Sequence, residues 1–161
     1  MTMDSRTEPR SATASISELA GCSGLELVAR LADSSAALQW QKRSLSPCYR
    51  RRARSGSWPP PRRAFCNLTN TFHGGWIMTM LDTAVSLAAQ TTLSPGETCP
   101  SHETTAKFVG PISVDTGVMH VIGHVISRGR TVITLEGRIE DAKGKLHAHG
   151  TSTCLIVSRK P

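Results

Sequence analysis

The chain has 161 residues, 39% of them hydrophobic and 19% charged, which is enough for one domain with a sizeable core and too short for two ordinary ones. Its formal net charge of +7 comes from a single segment, residues 42–63, which holds eight of the 19 basic residues and none of the 12 acidic ones. The rest of the chain lacks the basic excess typical of a protein that binds nucleic acid. No uninterrupted apolar run of about 18 residues is present, which argues against a transmembrane span.

The cysteine pattern bears on the cellular compartment. Five cysteines are scattered along the chain without a CxxC pair, at Cys22, Cys48, Cys66, Cys99 and Cys154. Free thiols in a reducing cytosol fit this odd number better than a disulfide framework or a zinc site. The opening residues MTMDSRTEPR are mixed in charge and lack the apolar run of a secretory signal. We therefore expect a cytoplasmic protein.

Residues 1–35 are predicted to form an N-terminal helical extension. Within them, residues 16–33 carry an apolar stripe that follows serines able to cap a helix. Residues 36–63 differ in texture, because they contain no acid, several serines, the run RRRAR and three consecutive prolines, Pro59 to Pro61. They show neither strand nor helix periodicity, and three prolines could not sit inside a paired strand, so this segment predicts a loop or disorder.

The most informative element is a helical run from Trp76 to Thr92 whose only ionisable side chain is Asp82. Apolar and small residues occur on every face, which predicts a helix that is buried all round. A carboxylate in such a helix costs several kcal/mol unless it is paired or hydrogen-bonded. The preceding His73-Gly74-Gly75 lets backbone approach a ligand closely at the helix N-terminus, where free N–H groups attract developing negative charge. A buried carboxylate and an anion-stabilising site on one element suggest acyl chemistry.

Four strand-like runs follow a turn at residues 94–96, and turn residues separate them from one another. They cover residues 101–109, 117–127, 131–141 and 146–157. The third run alternates apolar with polar side chains in the manner of a half-exposed strand. One long helix followed by a strand meander predicts an α+β domain over residues 64–161, in which an antiparallel β-sheet wraps around the central helix.

The spacing of these motifs resembles a known family. Asn67 lies six residues before His73-Gly74-Gly75 and Asp82 nine residues after the histidine, and SHETTAKFVGPI, SRGRT and GKLHAHGTSTCLIV follow. Together these features resemble the PaaI-like branch of the hotdog-fold acyl-CoA thioesterases, over about residues 64–157. The resemblance implies hydrolysis of acyl-CoA, with coenzyme A as part of the substrate and with no metal or other cofactor. It also implies a homodimer or a dimer of dimers, which is a homotetramer, with active sites across the subunit interface.

The roles of single residues carry over from the same resemblance. Asp82 corresponds to the carboxylate that activates water or attacks the thioester, and the Gly74 N–H corresponds to the donor that polarises the thioester carbonyl. Asn67 and His73 correspond to residues that position the carbonyl or the water, and Ser101 to a hydroxyl that helps to hold water. Asn67 could instead only cap a turn, and a serine in a strand needs no special role.

Further candidates concern the substrate. Gly75 and three apolar residues are predicted to contact the acyl group: Trp76, Met80 and Phe108. Their apolar character suggests an aromatic or medium-chain acyl group. Arg128 and Arg130, on either side of a glycine in a turn, either bind the phosphates of coenzyme A, as the resemblance implies, or are ordinary turn charges.

Two histidines of the last predicted strand invite a metal interpretation. His147 and His149 are two residues apart and should share one face of the strand. Without a third ligand nearby, they are better interpreted as half-buried strand residues.

Helix geometry independently predicts a site between subunits. With a helix that starts near Gly75, Asp82 lies roughly 10 Å along the axis from the first turn, at about 1.5 Å per residue. That is too far for its carboxylate to act on a carbonyl held by Gly74 of the same chain. A two-fold dimer with antiparallel central helices would bring Asp82 of one subunit to the helix N-terminus of the other. A monomer should therefore be inactive.

Two hypotheses remain for residues 36–63, where the hotdog pattern normally has a strand hairpin. The segment is either an arginine-rich insert that binds acidic surfaces or nucleic acid, or the product of a reading-frame shift that is restored near Ala64. Translating the coding DNA in the other frames tests this, because a frame shift requires an alternating apolar pattern in one of them. The rival function is a non-catalytic protein that binds acyl-CoA or, through Arg50 to Arg54, nucleic acid with a steep salt dependence.

Overall fold

The structure is a computed structural model that describes residues 22–24, 26, 53–58 and 63–158, with residues 53–58 described by their backbone. Helix α1 spans Gly74–Gln90, and short 3-10 helices cover Arg63–Phe65 and Val114–Thr116. The strands are β1 (Ala53–Trp58), β2 (Glu97–Thr98), β3 (Ser101–Phe108), β4 (Met119–Arg128), β5 (Val132–Asp141), β6 (Leu146–Leu155) and β7 (Val157–Ser158). Most of the predicted N-terminal helical extension lies outside the described residues.

Five of the strands form one antiparallel sheet in the order β1-β4-β5-β6-β3, and β2 pairs with β7. Helix α1 packs across this sheet, mainly over β4 and β5. The predicted central helix and the four predicted strand runs are therefore confirmed, with ends that differ by a few residues. The α+β architecture of an antiparallel sheet around one long helix is also confirmed.

The core lies between α1 and the concave face of the sheet. One stripe of α1 is buried, at the three- and four-residue spacing of an amphipathic helix: Ile77, Met80, Leu81, Ala84, Val85, Ala88 and Ala89. Inward-facing residues of the sheet complete it, among them Met119, Val121, Ile133, Leu135, Ile139, Ala148 and Cys154. The helix lies directly on β4 at Gly123, where a Cβ atom would collide with the backbone carbonyl of Ala84. Glycine at this position therefore sets how closely the helix approaches the sheet.

The prediction that α1 is buried all round is wrong for a single chain. Gly75 and Thr79 are exposed, and Asp82, Thr83 and Ser86 are partly exposed. These residues share the helix face opposite the buried stripe. Within the described residues, hydroxyl groups of β3 cover this face only in part, at Asp82 and Ser86. The face is lined by glycine, hydroxyl groups and one carboxylate, so it exposes no large apolar surface.

The prediction that residues 36–63 hold no strand is wrong for β1. The backbone of Ala53–Trp58 pairs antiparallel with β4, with a shift of register between Ser55 and Ser57. The strand is thus defined by pairing with its neighbour and not by alternation in its own sequence, as the context dependence of strand propensity allows. The two hypotheses for the origin of this segment stay untested.

The prediction that His147 and His149 share a face is also wrong. Ile139 pairs with Ala148 and Glu140 with Leu146, which leaves His147 as the extra residue of a β-bulge. The bulge turns His147 inward, where it is 4% exposed, while His149 stays exposed.

Asp141 anchors the β5–β6 turn next to this bulge. Its Oδ1 accepts hydrogen bonds from the backbone N–H groups of Lys145 and Lys143, at 3.0 and 2.8 Å, and its Oδ2 lies 3.4 Å from His147 Nε2. These contacts, with the Lys145 N–H foremost, hold the pKa of Asp141 below its usual range. Because the carboxyl pKa is lower in the folded state, Asp141 stabilises the fold at pH values above its unfolded-state pKa of about 3.9. This contribution to stability is lost as the pH falls through the folded-state pKa.

We expect Asp141→Asn to lower the melting temperature at neutral pH and to flatten its acid dependence. Between about pH 5 and pH 3 the variant should lose less stability than the wild type, because the titrating group is gone. Circular dichroism melts measure this, with Asp115→Asn, the same change at an exposed side chain, as the control. If the melting temperature of Asp141→Asn falls with decreasing pH as steeply as that of the wild type, Asp141 is not the group that causes the acid dependence.

Candidate active site

The loop that leads into α1 is organised by Asn67. Its Oδ1 accepts hydrogen bonds from the backbone N–H groups of Thr69 and Thr71, at 2.9 and 3.1 Å, and its Nδ2 donates to Thr71 Oγ1 at 2.9 Å. The loop contains Asn70 with a φ of 59°, and an isolated bridge between Cys66 and Phe72 closes it. In this structure Asn67 therefore acts as a turn cap. Its contact with substrate stays a prediction.

The N-terminus of α1 presents free backbone donors. The exposed His73 precedes the helix, and its carbonyl accepts hydrogen bonds from the N–H groups of Trp76 and Ile77, at 2.9 and 3.2 Å. Within residues 63–158, no acceptor takes up the N–H of Gly74 or Gly75. These two donors, together with the positive end of the helix dipole, form a site that favours negative charge.

Asp82, in the middle of α1, is held by two hydroxyl groups of β3. Ser101 Oγ donates to Asp82 Oδ1 at 2.8 Å, and Thr104 Oγ1 donates to the same oxygen at 3.2 Å. Asp82 Oδ2 makes no hydrogen bond within the described part of the chain. The carboxylate therefore has one anchored oxygen and one that is open to the partly exposed helix face.

Two further hydroxyl groups, which sequence reasoning missed, continue this network. Ser86 Oγ lies 3.2 Å from Ser101 Oγ, and Ser152 Oγ lies 2.9 Å from Thr104 Oγ1. Ser86 follows Asp82 by four residues, so helical periodicity was a signal that could have found it. Thr104 and Ser152 meet because β3 and β6 pair at this position, and only the strand register reveals that contact.

The thiol of Cys154 lies beside this network in the apolar core. Its hydrogen bond with Cys99 is the main cause that lowers the pKa of Cys154 to about 7, and Ser152 and Ser101 act in the same direction. Burial and the negative charge of Asp82 oppose this effect. Conversely, the interaction with Cys154, together with burial, raises the pKa of Cys99.

The structure does not bring Asp82 and Gly74 of one chain together. With α1 starting at Gly74, Asp82 lies about 12 Å further along the helix axis at about 1.5 Å per residue. Ser101 contacts Asp82 in the middle of α1. Asn67, His73 and Gly74 lie together where the helix begins.

The predicted acyl-contacting residues differ in their surroundings. Phe108 is 54% exposed and lies over Gly74, where an added Cβ would come within 3.1 Å of its ring. Trp76 is partly buried, and its ring packs against Phe72 with centroids 5.0 Å apart. Met80 is 5% exposed and belongs to the core cluster between helix and sheet. Phe108 is thus the candidate that faces the open end of the helix.

The two predicted phosphate-binding arginines also differ. Arg128 donates to Glu97 Oε2 at 3.0 Å and to the carbonyl of Thr92 at 3.2 Å, so it ties the end of β4 to β2 and to the end of α1. Arg130 is exposed and forms no ion pair with any residue that the structure describes. Only Arg130 therefore presents an uncommitted charge, and phosphate binding by either residue stays a prediction.

Several other features of the described residues are relevant to the predictions. No disulfide joins Cys66, Cys99 and Cys154 to one another. Within the described ranges, no group of three or more His, Cys, Asp or Glu residues could hold a metal ion. None of the helices described is long and apolar enough to cross a membrane.

Comparison with known proteins identifies the family. The sequence profile of the thioesterase superfamily matches residues 69–148. A protein of Saccharolobus solfataricus whose name describes it as an esterase is 31% identical over 101 residues, which are 63% of this chain and 70% of that protein. Among solved structures, a phenylacetic acid degradation-related protein of Ralstonia eutropha is 27% identical, with a TM-score of 0.57 and coverage of 62% of this chain and 72% of its own. The BH2602 protein of Bacillus halodurans, solved with CoA, is 24% identical, with a TM-score of 0.58 and coverage of 63% and 69%.

The fold is that of the hotdog proteins, with the sheet wrapped around α1. The chain belongs to the thioesterase superfamily. It is accordingly a thioester hydrolase, and the resemblance to PaaI-like proteins that the sequence showed is confirmed.

Proposed function

We propose that this thioester hydrolase acts on acyl-CoA and releases a carboxylic acid and free coenzyme A. The observation that carries the proposal is the Asp82 carboxylate, which has Oδ1 fixed by Ser101 and Thr104 and Oδ2 open on a partly exposed helix face. The choice of thiol is supported by the B. halodurans protein, whose similar fold is solved with CoA. The uncommitted charge of Arg130 suits a phosphate of that group.

Asp82 serves as the base or nucleophile of the reaction. As a base, Oδ2 takes a proton from water while the water oxygen forms a bond to the thioester carbonyl carbon. The tetrahedral intermediate then breaks its C–S bond, and the thiolate recovers the proton from Oδ2. As a nucleophile, Oδ2 itself attacks the carbonyl carbon, and the C–S bond breaks to leave an anhydride and the coenzyme A thiolate. Water then hydrolyses the anhydride to the carboxylic acid and restores the Asp82 carboxylate, and the proton that this water releases goes to the thiolate. In both cases the carbonyl oxygen gains negative charge that needs a donor.

The free N–H of Gly74 is the proposed donor to that oxygen. A backbone N–H at a helix N-terminus is fixed in place before the reaction and contributes without reorganisation. Because Gly74 lies about 12 Å from Asp82 of its own chain, the donor that works with Asp82 belongs to a second subunit. His73 and Asn67, on the loop that carries Gly74, would contribute to the same half of the site.

The structure offers a surface on which such a dimer can form. Among the strands that the structure describes, β3 is an edge strand that pairs with β6 alone, and six of its eight residues are exposed. Antiparallel pairing of β3 with the β3 of a second copy would satisfy its free backbone groups. It would also lay the exposed faces of the two α1 helices beside each other in opposite directions. Asp82 of each subunit then approaches the helix N-terminus of the other.

The acyl group is proposed to enter at the open end of α1, where Phe108 lies over Gly74. Its exposed ring, together with the edge of Trp76, suits an aromatic or medium-chain acyl group. Met80 lies deeper, in the core between helix and sheet, so it would form the floor of the acyl-binding site.

A thiol-release assay tests the proposal. We expect turnover with at least one member of a panel of acetyl-, hexanoyl-, octanoyl-, phenylacetyl- and benzoyl-CoA, with coenzyme A and the free acid formed in equal amounts. A non-catalytic binding protein would bind members of this panel in calorimetry without releasing thiol. Binding without turnover across the panel would therefore reject the proposed function.

A further inference from the structure

Two hydroxyl groups extend the surroundings of Asp82 into the sheet, Thr104 on β3 and Ser152 on β6. Thr104 Oγ1 lies 3.2 Å from Asp82 Oδ1 and 2.9 Å from Ser152 Oγ, and Ser152 Oγ lies 2.9 Å from the carbonyl oxygen of Glu103. Ser152 is 3% exposed and Thr104 is partly buried. Water therefore has little access to replace either partner, and the contacts form a continuous chain from the carboxylate into the protein interior.

The number of protons limits how this chain can be hydrogen-bonded, because each hydroxyl carries only one. If Thr104 donates to Asp82, its contact with Ser152 requires the proton of Ser152. If Ser152 donates to the carbonyl of Glu103, the same contact requires the proton of Thr104, and Asp82 loses that donor. Two hydroxyl protons serve three contacts, so no arrangement fills all three, and the two that fill the Thr104–Ser152 contact differ in whether Asp82 receives the Thr104 proton.

The charge on Asp82 selects between the two arrangements. A hydrogen bond to an ionised carboxylate is roughly twice as strong as a neutral one, so the ionised state draws the Thr104 proton to Oδ1. Once Oδ2 has accepted a proton, that advantage ends, and Thr104 can turn to Ser152 while Ser152 turns to Glu103.

We infer that Thr104 and Ser152 are positioning residues that hold Oδ1 of the ionised Asp82, leave Oδ2 as the reacting oxygen, and release Oδ1 by hydroxyl rotation when Oδ2 is protonated. The rotations make and break only hydrogen bonds, so the covalent balance of the hydrolysis is unchanged. The inference rests on the proposed function, because it assigns a reacting oxygen to the proposed catalytic carboxylate.

Few titratable groups face Asp82 among residues 63–158. Helix α1 carries no other charged side chain, and β3 meets the carboxylate through the hydroxyls of Ser101 and Thr104. On β6, the Cys154 thiol interacts with the charge of Asp82. A test by pH dependence therefore has to separate the effect of Thr104 from the titration of this thiol.

Thr104→Val tests the first link, since valine keeps the β-branched shape and removes the hydroxyl. Ser152 can still donate to the carbonyl of Glu103, so no buried donor is left without a partner. With the best acyl-CoA of the panel, we expect kcat to fall about tenfold with little change in KM. The acid limb of the kcat/KM profile should move up by about one pH unit, because the ionised carboxylate has lost a donor. Thr104→Ser retains the hydroxyl and should restore both the rate and the position of the limb.

Ser152→Ala tests the second link. If Ser152 acts through Thr104, its loss should lower kcat about threefold in the wild-type background and cause no further loss in Thr104→Val. Additive losses would overturn the inferred chain, and so would a Ser152→Ala variant with the wild-type kcat.

The outcomes separate this inference from the proposed function. An inactive Asp82→Asn beside a Thr104→Val with wild-type rate and acid limb would refute the inference alone. Full turnover by Asp82→Asn would refute the catalytic role proposed for Asp82, and a wild-type protein that binds acyl-CoA without turnover would refute the proposed function. Each profile is repeated in a Cys154→Ala background, where a shift caused by Thr104 persists and a shift caused by the thiol disappears. Circular dichroism melts of every variant confirm that the compared proteins are folded.

Discussion

Asp82→Asn is expected to reduce kcat/KM for acyl-CoA by about 10²–10⁴-fold, the contribution typical of a general base, and by more if Asp82 is the nucleophile. Asparagine has nearly the same shape, and its carbonyl oxygen can still accept the hydrogen bonds of Ser101 and Thr104. The change replaces the open Oδ2 by an amide nitrogen, which cannot accept a proton from water at neutral pH. Thiol release at saturating and at low substrate measures the loss.

The loss in Asp82→Asn should lie in kcat, because Asp82 has its effect on the transition state. Asp115→Asn, which makes the same chemical change on an exposed 3-10 helix, is the matched control and should keep the wild-type kcat. Activity of Asp82→Asn within twofold of the control would contradict the role assigned to Asp82. A rise in KM alone, with kcat unchanged, would assign Asp82 to substrate binding and not to chemistry.

The sequence could predict those parts of the molecule whose pattern is local. Helix α1 is marked by a glycine-rich entry and a long run with one charge, β5 by alternation of apolar and polar residues, and β4 and β6 by the turn residues that bound them. The distance from Gly74 to Asp82 also follows from the sequence alone, since helical rise per residue is fixed. The prediction of a site between subunits therefore needed no structure.

Other parts depend on pairing between distant segments, which a single sequence does not display. Strand β1 is defined by its partner β4, and the inward turn of His147 by a bulge in the register of β5 and β6. The contact of Thr104 with Ser152 joins residues that are 48 positions apart. Asn67, by contrast, makes hydrogen bonds to residues close in sequence, which the sequence could suggest as a turn cap. These bonds do not show whether Asn67 also contacts substrate.

Removal of the Gly74 N–H is expected to lower kcat by about 10²–10³-fold, the usual cost of deleting one donor to a developing oxyanion. Gly74→Pro removes this N–H at the first helical position, where proline is well tolerated. His73 has φ −57° and ψ 139°, the extended conformation that a residue before proline prefers. Gly74→Ala is the matched control, because it adds the same Cβ next to Phe108 and keeps the N–H. Equal losses in the two variants would attribute the effect to crowding at Phe108.

Mixing the two inactive variants distinguishes a site shared between subunits from one contained in a single chain. If Asp82 of one subunit works with Gly74 of the other, a mixed dimer of Asp82→Asn and Gly74→Pro holds one site with both native groups and one with neither. Random reassortment makes half of the dimers mixed, so activity should recover to about a quarter of the wild-type value. If both groups act within one chain, every site in every dimer lacks one of them, and mixing restores nothing. Co-expression with two affinity tags, followed by tandem purification, isolates the mixed dimer, which should show about half of the wild-type activity per dimer. The same activity in the mixed and the parent dimers would refute the shared site, and with it the requirement that this enzyme be at least a dimer.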